Sequence, residues 1–300
     1  MINKKVLLLF IDGLGLGKEE QWKYNPIETG SLPNLQNLLK SSEMIPADAT
    51  LGISGTPQSA SGQTTILTGI NASEAIGKHL NGFPNRELRE IIEKENIFIK
   101  LQEQGLKVTN ANAYNDKFLS KLQNNPKATE EMSVSTVATL SAGLPLHTEE
   151  DLMKGTAVYQ DLTNRLILKK TRAKIPIRTP WEAGKTLVEI VEKHDFTFFE
   201  YFQTDLAGHQ KDFESAHRVL EELDQFIGSL LESLCLENTL FVLVSDHGNI
   251  EDLSTSDHTM NKVPVIALGN GSVNFRLNIK SIQEITPKIE DYFLRNNQTS

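Results

Sequence analysis

The chain has 300 residues, of which 39% are hydrophobic and 23% are charged, and its formal net charge is −9 at pH 7. The negative charge argues against a general nucleic-acid binder, which needs clustered lysines and arginines, and no segment reaches the roughly 18 consecutive apolar residues of a membrane helix. Because the single cysteine, Cys235, also excludes an intramolecular disulfide, we predict a cytoplasmic globular protein of one large or two smaller domains, with no nucleic-acid or membrane partner.

Short apolar runs alternate along the chain with segments in which apolar residues recur every three to four positions. Runs of the first kind predict buried strands, and segments of the second kind predict amphipathic helices. In chain order we predict a strand at 6–11, a helix at 31–40, a strand at 45–51, helices at 59–69 and 91–104, a strand at 106–113, a helix at 181–193, a strand at 196–202, a helix at 213–234, and strands at 241–245 and 263–268.

This alternation predicts an α/β fold with a doubly wound, mostly parallel sheet and helices on both faces. Residues 115–180 interrupt the pattern, because they are polar, contain an Asn-Asn-Pro turn signal and show only fragments of helical periodicity. We interpret them as a small cap or lid inserted into a core that is formed by residues 1–114 and 181–300.

Aspartates and histidines gather where three of the predicted strands end. They are Asp12 after the first strand, Asp205 and His209 after the strand at 196–202, Asp246 and His247 after the strand at 241–245, and His258 on the following loop. An isolated aspartate at a strand end often only caps the next helix or turn. Parallel strands, however, end at one edge of the sheet, and three carboxylates gathered there repel one another unless cations hold them. The pattern therefore predicts a site for two divalent metals, which suit aspartate and histidine ligands.

Ser59 stands at the predicted amino end of the helix at 59–69. A helix amino terminus offers free N–H groups and a partial positive charge, which favour an alkoxide and an anionic phosphate. A bound metal would lower the pKa of the hydroxyl further. Ser59 is therefore our candidate nucleophile, and the alternative is that it serves only as a helix cap.

Together these residues resemble the alkaline phosphatase superfamily, and within it the metalloenzyme segment shared by cofactor-independent phosphoglycerate mutases and phosphopentomutases. The matching motifs are Asp12-Gly13, Asp205-Leu206-Ala207-Gly208-His209, Ser245-Asp246-His247-Gly248-Asn249, and His258-Thr259 followed by Val263-Pro264. In this superfamily the nucleophile precedes a Thr-Gly-like helix end, and Thr68-Gly69 points back to Ser59, with Ser61 as the alternative.

The resemblance implies how the site would be assembled and what it would do. It implies two ligand sets: Asp205, His209 and His258 for one metal, and Asp12, Asp246 and His247, with the Ser59 hydroxyl beside them, for the other. Ser59 would attack phosphorus and form a phosphoserine, after which water or a second substrate hydroxyl would take the phosphoryl group. The mixed ligands allow Mn²⁺ or Zn²⁺, and family analogy favours Mn²⁺.

The chain departs from the family pattern around the phosphate. It has the neutral Gln63 where several relatives carry histidine or arginine near the nucleophile, and residues 115–180 are too few for the larger domain inserted in the mutases. Other residues must then contact the substrate. Our candidates are Lys78, His79, Asn81, Arg86 and Arg178, with Arg89 and Arg172 as further sources of positive charge. Each cation could instead be an ordinary solvated surface charge.

Three functions are compatible with this pattern. The first is a phosphomonoester hydrolase or phosphomutase acting on a small phosphorylated metabolite. The second keeps the fold and the metals but hydrolyses phosphodiesters or phosphonates, and the third is a metal-binding protein without catalysis. The substrate, the identity of the metal and the oligomeric state are not determined by the sequence.

Overall fold

The computed structural model of the chain describes residues 4–294, so the predicted core boundaries at 1–3 and 295–300 lie outside the described residues. Its centre is a sheet of six strands in the order β2-β6-β5-β1-β4-β3. The strands are β1 Lys5–Ile11, β2 Met44–Ala47, β3 Val108–Asn110, β4 Phe196–Tyr201, β5 Thr239–Val244 and β6 Val263–Gly269. Neighbours among β3, β4, β1 and β5 pair in parallel, whereas β6 pairs antiparallel with β5 and β2.

Helices cover both faces of this sheet. They are α1 Pro26–Thr29, α2 Pro33–Lys40, α3 Ser59–Thr68, α4 Ala72–Ile76, α5 Arg86–Glu95, α6 Ile97–Glu103, α7 Asp116–Asn124, α8 Val134–Ser141, α9 Glu149–Lys154, α10 Arg165–Leu168, α11 Pro180–Val191, α12 Gln203–Gln210, α13 Phe213–Ser233, α14 Ser272–Arg276 and α15 Ile285–Leu294, with 3₁₀ turns at Glu19–Tyr24, Pro126–Glu131 and Ile282–Glu284. Within the described residues, no helix is both long enough and apolar enough to span a bilayer.

Alternate residues of the central strand β1 face the two helical layers. Val6, Leu8 and Phe10 join a cluster with α3, α5, α6, α8 and α15, whereas Leu7 and Leu9 join a second cluster with α2, α11 and α13. All of these β1 side chains are at most 2% exposed, because a strand buried on both faces has no solvated side. The predicted α/β fold with a mostly parallel sheet and helices on both faces is confirmed.

Three predicted elements differ from the structure in detail. The strand predicted at 106–113 is the three-residue β3. The strand predicted at 45–51 is the short β2, which ends at Ala47. The carboxylate of the next residue, Asp48, accepts hydrogen bonds from the backbone amides of Thr50 and Leu51. The helix predicted at 91–104 is the end of α5 followed by α6. It breaks at Asn96, whose extended backbone and side-chain bonds to two following amides start the new helix.

Residues 115–180 divide their packing between two clusters. Helix α8 packs on α5 and contributes Val134 and Val137 to the main core. Residues around Leu152, Tyr159 and Ile167 form a small separate cluster. The division of the chain into a core and a cap stays a prediction.

Candidate metal centre

The candidate site lies at the edge of the sheet where the parallel strands end. Asp12 directly follows β1, and Asp246 and His247 come just after β5. Asp205 lies in the first turn of α12, which begins just after β4. Because β6 runs antiparallel to β5, the loop that joins them stays at this edge and brings His258 with it.

One group of predicted ligands is Asp205, His209 and His258, whose ligand atoms lie within 4.8 Å of one another. The Nε2 atoms of the two histidines are 3.2 Å apart. Asp205 Oδ2 is 3.3 Å from His209 Nε2, and Asp205 Oδ1 is 3.4 Å from His258 Nε2. Four potential ligand atoms of three residues therefore converge on one point.

The other nitrogen of each histidine is bound to the backbone. His209 Nδ1 donates to Ser256 O at 2.7 Å, and His258 Nδ1 donates to Pro57 O at 3.0 Å. A carbonyl oxygen can only accept, so in the neutral rings each Nε2 carries a lone pair and no proton. Two such nitrogens facing each other beside a carboxylate have no hydrogen to share, which is the arrangement that suits a cation.

The second group is centred on the buried His247. Its Nε2 is 3.2 Å from Asp12 Oδ1, 3.5 Å from Asp246 Oδ2 and 3.0 Å from Ser59 Oγ. Asp205 also belongs here, because its ligand atoms lie within 4.8 Å of those of Asp12 and His247. The structure thus brings all six predicted metal ligands and Ser59 together, with Asp205 shared between the two groups.

The spacing of these atoms fits divalent metals. Tetrahedral zinc with ligands at about 2.0–2.1 Å keeps neighbouring ligand atoms about 3.3 Å apart, which matches the separations around His209 and His247 Nε2. Asp12 Oδ1 and Asp246 Oδ2 are buried without a hydrogen-bond partner. Since a buried carboxylate oxygen is normally paired, both are orphaned atoms that a cation would satisfy.

The electrostatics of Asp246 also favour a cation at this site. Burial, together with the neighbouring carboxylates of Asp12 and Asp205, raises the pKa of Asp246 well above its ordinary value. The charged form of this carboxyl is therefore unfavourable in the protein alone. A cation beside it would restore the ionised state.

Helix α3 presents Ser59 to this site. Ser59 is its first residue, and Gly69 ends it in the left-handed conformation, as predicted. Ser61, the alternative nucleophile, donates to Gln58 O and accepts from the amide of Leu80, so its hydroxyl is used within the fold. Gln63 Nε2 donates to Asp12 Oδ2 at 3.2 Å, which makes it a partner of a predicted ligand.

Three polar residues near the site are missed by the sequence reasoning. Asn249 Nδ2 donates to Asp205 Oδ1 at 2.9 Å, and its backbone amide donates to the buried Glu251.

Glu200, near the end of β4, is buried and accepts a short hydrogen bond from Ser135. Burial raises the pKa of Glu200 to about 7, with a further contribution from the Asp12 carboxylate. A single charge within the aromatic run 196–202 was the available signal for Glu200.

A cavity of about 450 Å³ opens beside Asp12, Ser59 and Asp205. Its lining includes Asn115, Phe118, Thr136 and Tyr159 of the segment predicted as a cap. Of the predicted substrate-binding residues, Asn81 lines this cavity.

The other four predicted substrate-binding residues do not line that cavity. His79 bonds to Ser73 Oγ and Ile53 O, which indicates a role in holding its loop. Arg86 pairs with Glu90 on the exposed face of α5. Arg178 donates from Nη1 to Thr186 and from Nη2 to the Ala157 carbonyl and Asn164, so these two nitrogens are used within the fold. Lys78 likewise lies outside the lining of the cavity.

Comparison with known proteins relates the chain to a family of metal enzymes. The family described as the metalloenzyme superfamily matches residues 4–296. The 2,3-bisphosphoglycerate-independent phosphoglycerate mutase of Desulforudis audaxviator is 28% identical over 107 residues, which are 34% of this chain and 21% of that protein. The enzyme of the same name from Methanococcus vannielii is 28% identical over 38% of this chain and 29% of its own length. The chain thus matches less than a third of either mutase.

Solved structures share the fold over almost the whole chain. The PH0037 protein from Pyrococcus horikoshii superposes with a TM-score of 0.60 at 16% identity, covering 98% of both chains. The alkaline phosphatase from the Antarctic bacterium TAB5 superposes with a TM-score of 0.56 at 19% identity, covering 96% of this chain and 97% of its own. Both similarities concern the architecture.

Proposed function

This chain belongs to the metalloenzyme superfamily, and on that premise we propose that it is a two-metal phosphoryl-transfer enzyme. It acts on a small phosphate monoester through a phosphoserine at Ser59. The observation that carries the proposal is that Ser59 Oγ lies 3.0 Å from His247 Nε2, which belongs to one of two groups of ligand atoms that share Asp205. A purely structural cluster has no need of a hydroxyl at the start of a helix beside it.

The residues present would hold two divalent cations, Mn²⁺ or Zn²⁺, as the ligand sets implied by the family resemblance describe. When bound, the cations would lower the pKa of the Ser59 hydroxyl and offset the negative charge that gathers on the phosphoryl oxygens. The orphaned oxygens of Asp12 and Asp246 support this assignment. Asp205 would help to hold either ion, because it offers a ligand atom to both groups.

The reaction uses Ser59 twice. Its oxygen forms a bond to phosphorus as the bond from phosphorus to the ester oxygen breaks, and the alcohol leaves with the proton that the Ser59 hydroxyl gives up. Water then attacks the phosphoserine and releases inorganic phosphate, and a proton of that water restores the Ser59 hydroxyl. The amino end of α3 favours the anionic phosphoryl group throughout, because the helix dipole places partial positive charge there. If a second hydroxyl of the substrate replaces water, the product is an isomer and the enzyme is a mutase.

The test of this proposal is the Ser59→Ala variant in the Mn²⁺-loaded protein. Because the nucleophile is lost, kcat for p-nitrophenyl phosphate should fall by about 10⁴- to 10⁶-fold. Wild-type protein incubated with ³²P-labelled substrate and quenched in acid should carry label on the peptide that contains Ser59.

Ser61→Ala is the matched control, since it removes a hydroxyl two positions away that bonds within the fold. It should retain the label and most of the turnover. A Ser59→Ala protein that binds metal normally and still turns over substrate would overturn the nucleophile. A wild-type protein that cleaves diesters faster than monoesters would favour the phosphodiesterase alternative.

A further inference from the structure

The cavity beside Ser59 has an unusual charge pattern for a site that must receive a phosphate ester. Among the described residues that line it there is no lysine, arginine or histidine. Its acidic side chains beyond the two predicted metal ligands are Glu131 and Glu200. Positive charge for the phosphate would thus come from the metals, and none is provided for a second anionic group of the substrate.

Glu131 and Glu200 differ in their surroundings. Glu131 is exposed and forms an ion pair with Lys121, so its charge is compensated at the rim. Glu200 is 6% exposed, and its side-chain partners are the Ser135 hydroxyl and the Gln63 amide, neither of which carries a charge. Glu200 lines the same cavity as Asp12 and Ser59. A carboxylate of a substrate brought into this space would meet a buried acidic group without a compensating cation.

Aromatic side chains supply much of the remaining wall. Tyr114 and Phe118 stack with their ring centroids 5.6 Å apart and an interplanar angle of 17°. Tyr159, Phe202 and Phe83 line the same space, and Phe83 is 51% exposed. Flat apolar walls of this kind favour flat or apolar ligands, because aromatic pairs gain energy beyond the area they bury.

We propose that the substrate is a phosphate monoester whose organic part carries no negative charge and presents an aromatic or apolar face to the ring pair Tyr114–Phe118. The proposal rests on the proposed function, because it takes Ser59 as the point where phosphorus reacts. Glu200 then acts as a specificity-determining residue that disfavours phosphate esters bearing a carboxylate. We therefore expect phosphoglycerates, which carry a carboxylate, to be poor substrates of this chain.

The experiment measures the hydrolysis of three phosphate esters of primary alcohols by the Mn²⁺-loaded enzyme, so that leaving-group reactivity is similar. They are benzyl phosphate, whose organic part is aromatic, glycerol 3-phosphate, whose organic part is small and uncharged, and 3-phosphoglycerate, whose organic part carries a carboxylate. At a pH above the raised pKa of Glu200, where its carboxyl is ionised, we expect kcat/KM for benzyl phosphate to exceed that for 3-phosphoglycerate by at least about tenfold, because the cavity offers the substrate carboxylate an acidic neighbour and no cationic side chain. Equal rates, or a preference for 3-phosphoglycerate, would overturn the inference while leaving the proposed function intact.

Two variants assign the preference to named side chains. Phe118→Ala should lower the benzyl-to-glycerol ratio of kcat/KM by about 2- to 10-fold, as expected for the loss of one aromatic contact. Glu200→Gln keeps the shape and can still accept from Ser135, and it should raise the 3-phosphoglycerate-to-glycerol ratio. Glu214→Gln, on the exposed face of α13, is the matched control and should leave both ratios unchanged.

The possible results distinguish failure of the proposed function from failure of the specificity assignment. If no ester is cleaved, p-nitrophenyl phosphate included, by protein that has bound Mn²⁺, the proposed function fails and the inference fails with it. If esters are cleaved but neither variant changes its ratio, the site reacts as proposed and the assignment of specificity to Phe118 and Glu200 is wrong. Thermal unfolding of each variant verifies that a changed ratio reflects folded protein.

Discussion

At the scale of single residues, Glu251 holds the loop between β5 and β6 in shape. Its carboxylate is fully buried and accepts from the amides of Gly15 and Asn249 at 3.1 and 2.7 Å. The Thr259 hydroxyl and the Asn261 side-chain amide donate to its other oxygen. One carboxylate thus fixes the segment after β1 and the two sides of the loop that carries His258.

Replacing Glu251 by glutamine should destabilise the protein and loosen the site. An amide has a single acceptor oxygen, so two of the four donors lose their partner, and each loss costs about 1–3 kcal/mol of the free energy of unfolding. Because the ligands on this loop would be less well oriented, Mn²⁺ affinity should fall by about 10- to 100-fold. Urea unfolding and calorimetric Mn²⁺ titration measure the two effects.

The exposed Glu232 on α13 provides the matched control for that substitution. Glu232→Gln should change stability by no more than about 0.5 kcal/mol, as surface substitutions usually do, and should not affect metal binding. If Glu251→Gln bound Mn²⁺ as tightly as wild type, the loop would not depend on this carboxylate for its geometry.

The difference between the residues that sequence could predict and those it misses is physical. Aspartate and histidine at strand ends stand out because strand and helix patterns flank them, and the structure brings them together at one edge of the sheet. Glu251 lies in a polar loop, where carboxylates are usually solvated, and no pattern distinguishes the one that is buried. The roles of the individual metal ligands stay predictions.

At the scale of elements, the approach of α3 to the end of β5 brings the nucleophile to the ligands. Gly62 makes this approach possible, because a Cβ added there would lie 2.9 Å from Asp246 Cβ and 3.1 Å from Asp246 O. Gly62 is one turn along the helix from Ser59. The contact therefore couples the position of Ser59 to that of Asp246.

The Gly62→Ala substitution tests this coupling, because its local and tertiary effects have opposite signs. Alanine favours the helix by about 0.5–1 kcal/mol, but its methyl group must push α3 away from β5. We expect kcat for p-nitrophenyl phosphate to fall by about 100-fold, the effect of a displacement of roughly 1 Å at a reacting group.

Gly105→Ala is the control for that experiment. Gly105 has φ of +79°, and a Cβ there would meet nothing within 4 Å. It should therefore lose stability through backbone strain while keeping its activity. A Gly62→Ala enzyme with unchanged turnover would show that α3 tolerates displacement.

Elements with strong local signals could be predicted, and elements fixed by distant packing could not. The runs that form β1, β4, β5 and β6 are continuous and apolar, and α13 shows its buried face in sequence. Helix α8 is rich in serine and threonine, yet it is buried against α5. Its place depends on contacts with elements far away in the sequence, which local periodicity does not reveal.

At the scale of the whole molecule, the candidate metal centre joins distant parts of the chain. It links the segment after β1, the start of α3, helix α12 and the loop between β5 and β6. A ligand that binds only the folded state stabilises it by mass action. Metal at this position should therefore stabilise the entire fold.

The last prediction concerns metal removal and the Asp246→Asn variant. Mn²⁺ at about 100 times its Kd should add about 2.7 kcal/mol to the unfolding free energy of the wild type, whereas Asp246→Asn should show little of this gain. Without metal, Asp246→Asn should be the more stable of the two proteins. Since burial and two neighbouring carboxylates raise the pKa of Asp246 in the folded protein, the ionised side chain destabilises it, and asparagine removes that cost.

The pH dependence of the metal-free proteins gives the sign of the effect that the Asp246 carboxylate has on stability. A carboxyl with a raised pKa binds its proton more tightly in the folded than in the unfolded state, so stability is greatest below its ordinary pKa of about 3.9 and falls as the pH rises through the raised value. The Tm of Asp246→Asn in EDTA should thus exceed that of the wild type by a margin that grows with pH. Thermal scans at several pH values, with and without Mn²⁺, measure both effects. A metal-free wild type more stable than Asp246→Asn at every pH would mean that this carboxylate is compensated within the protein and does not require a cation.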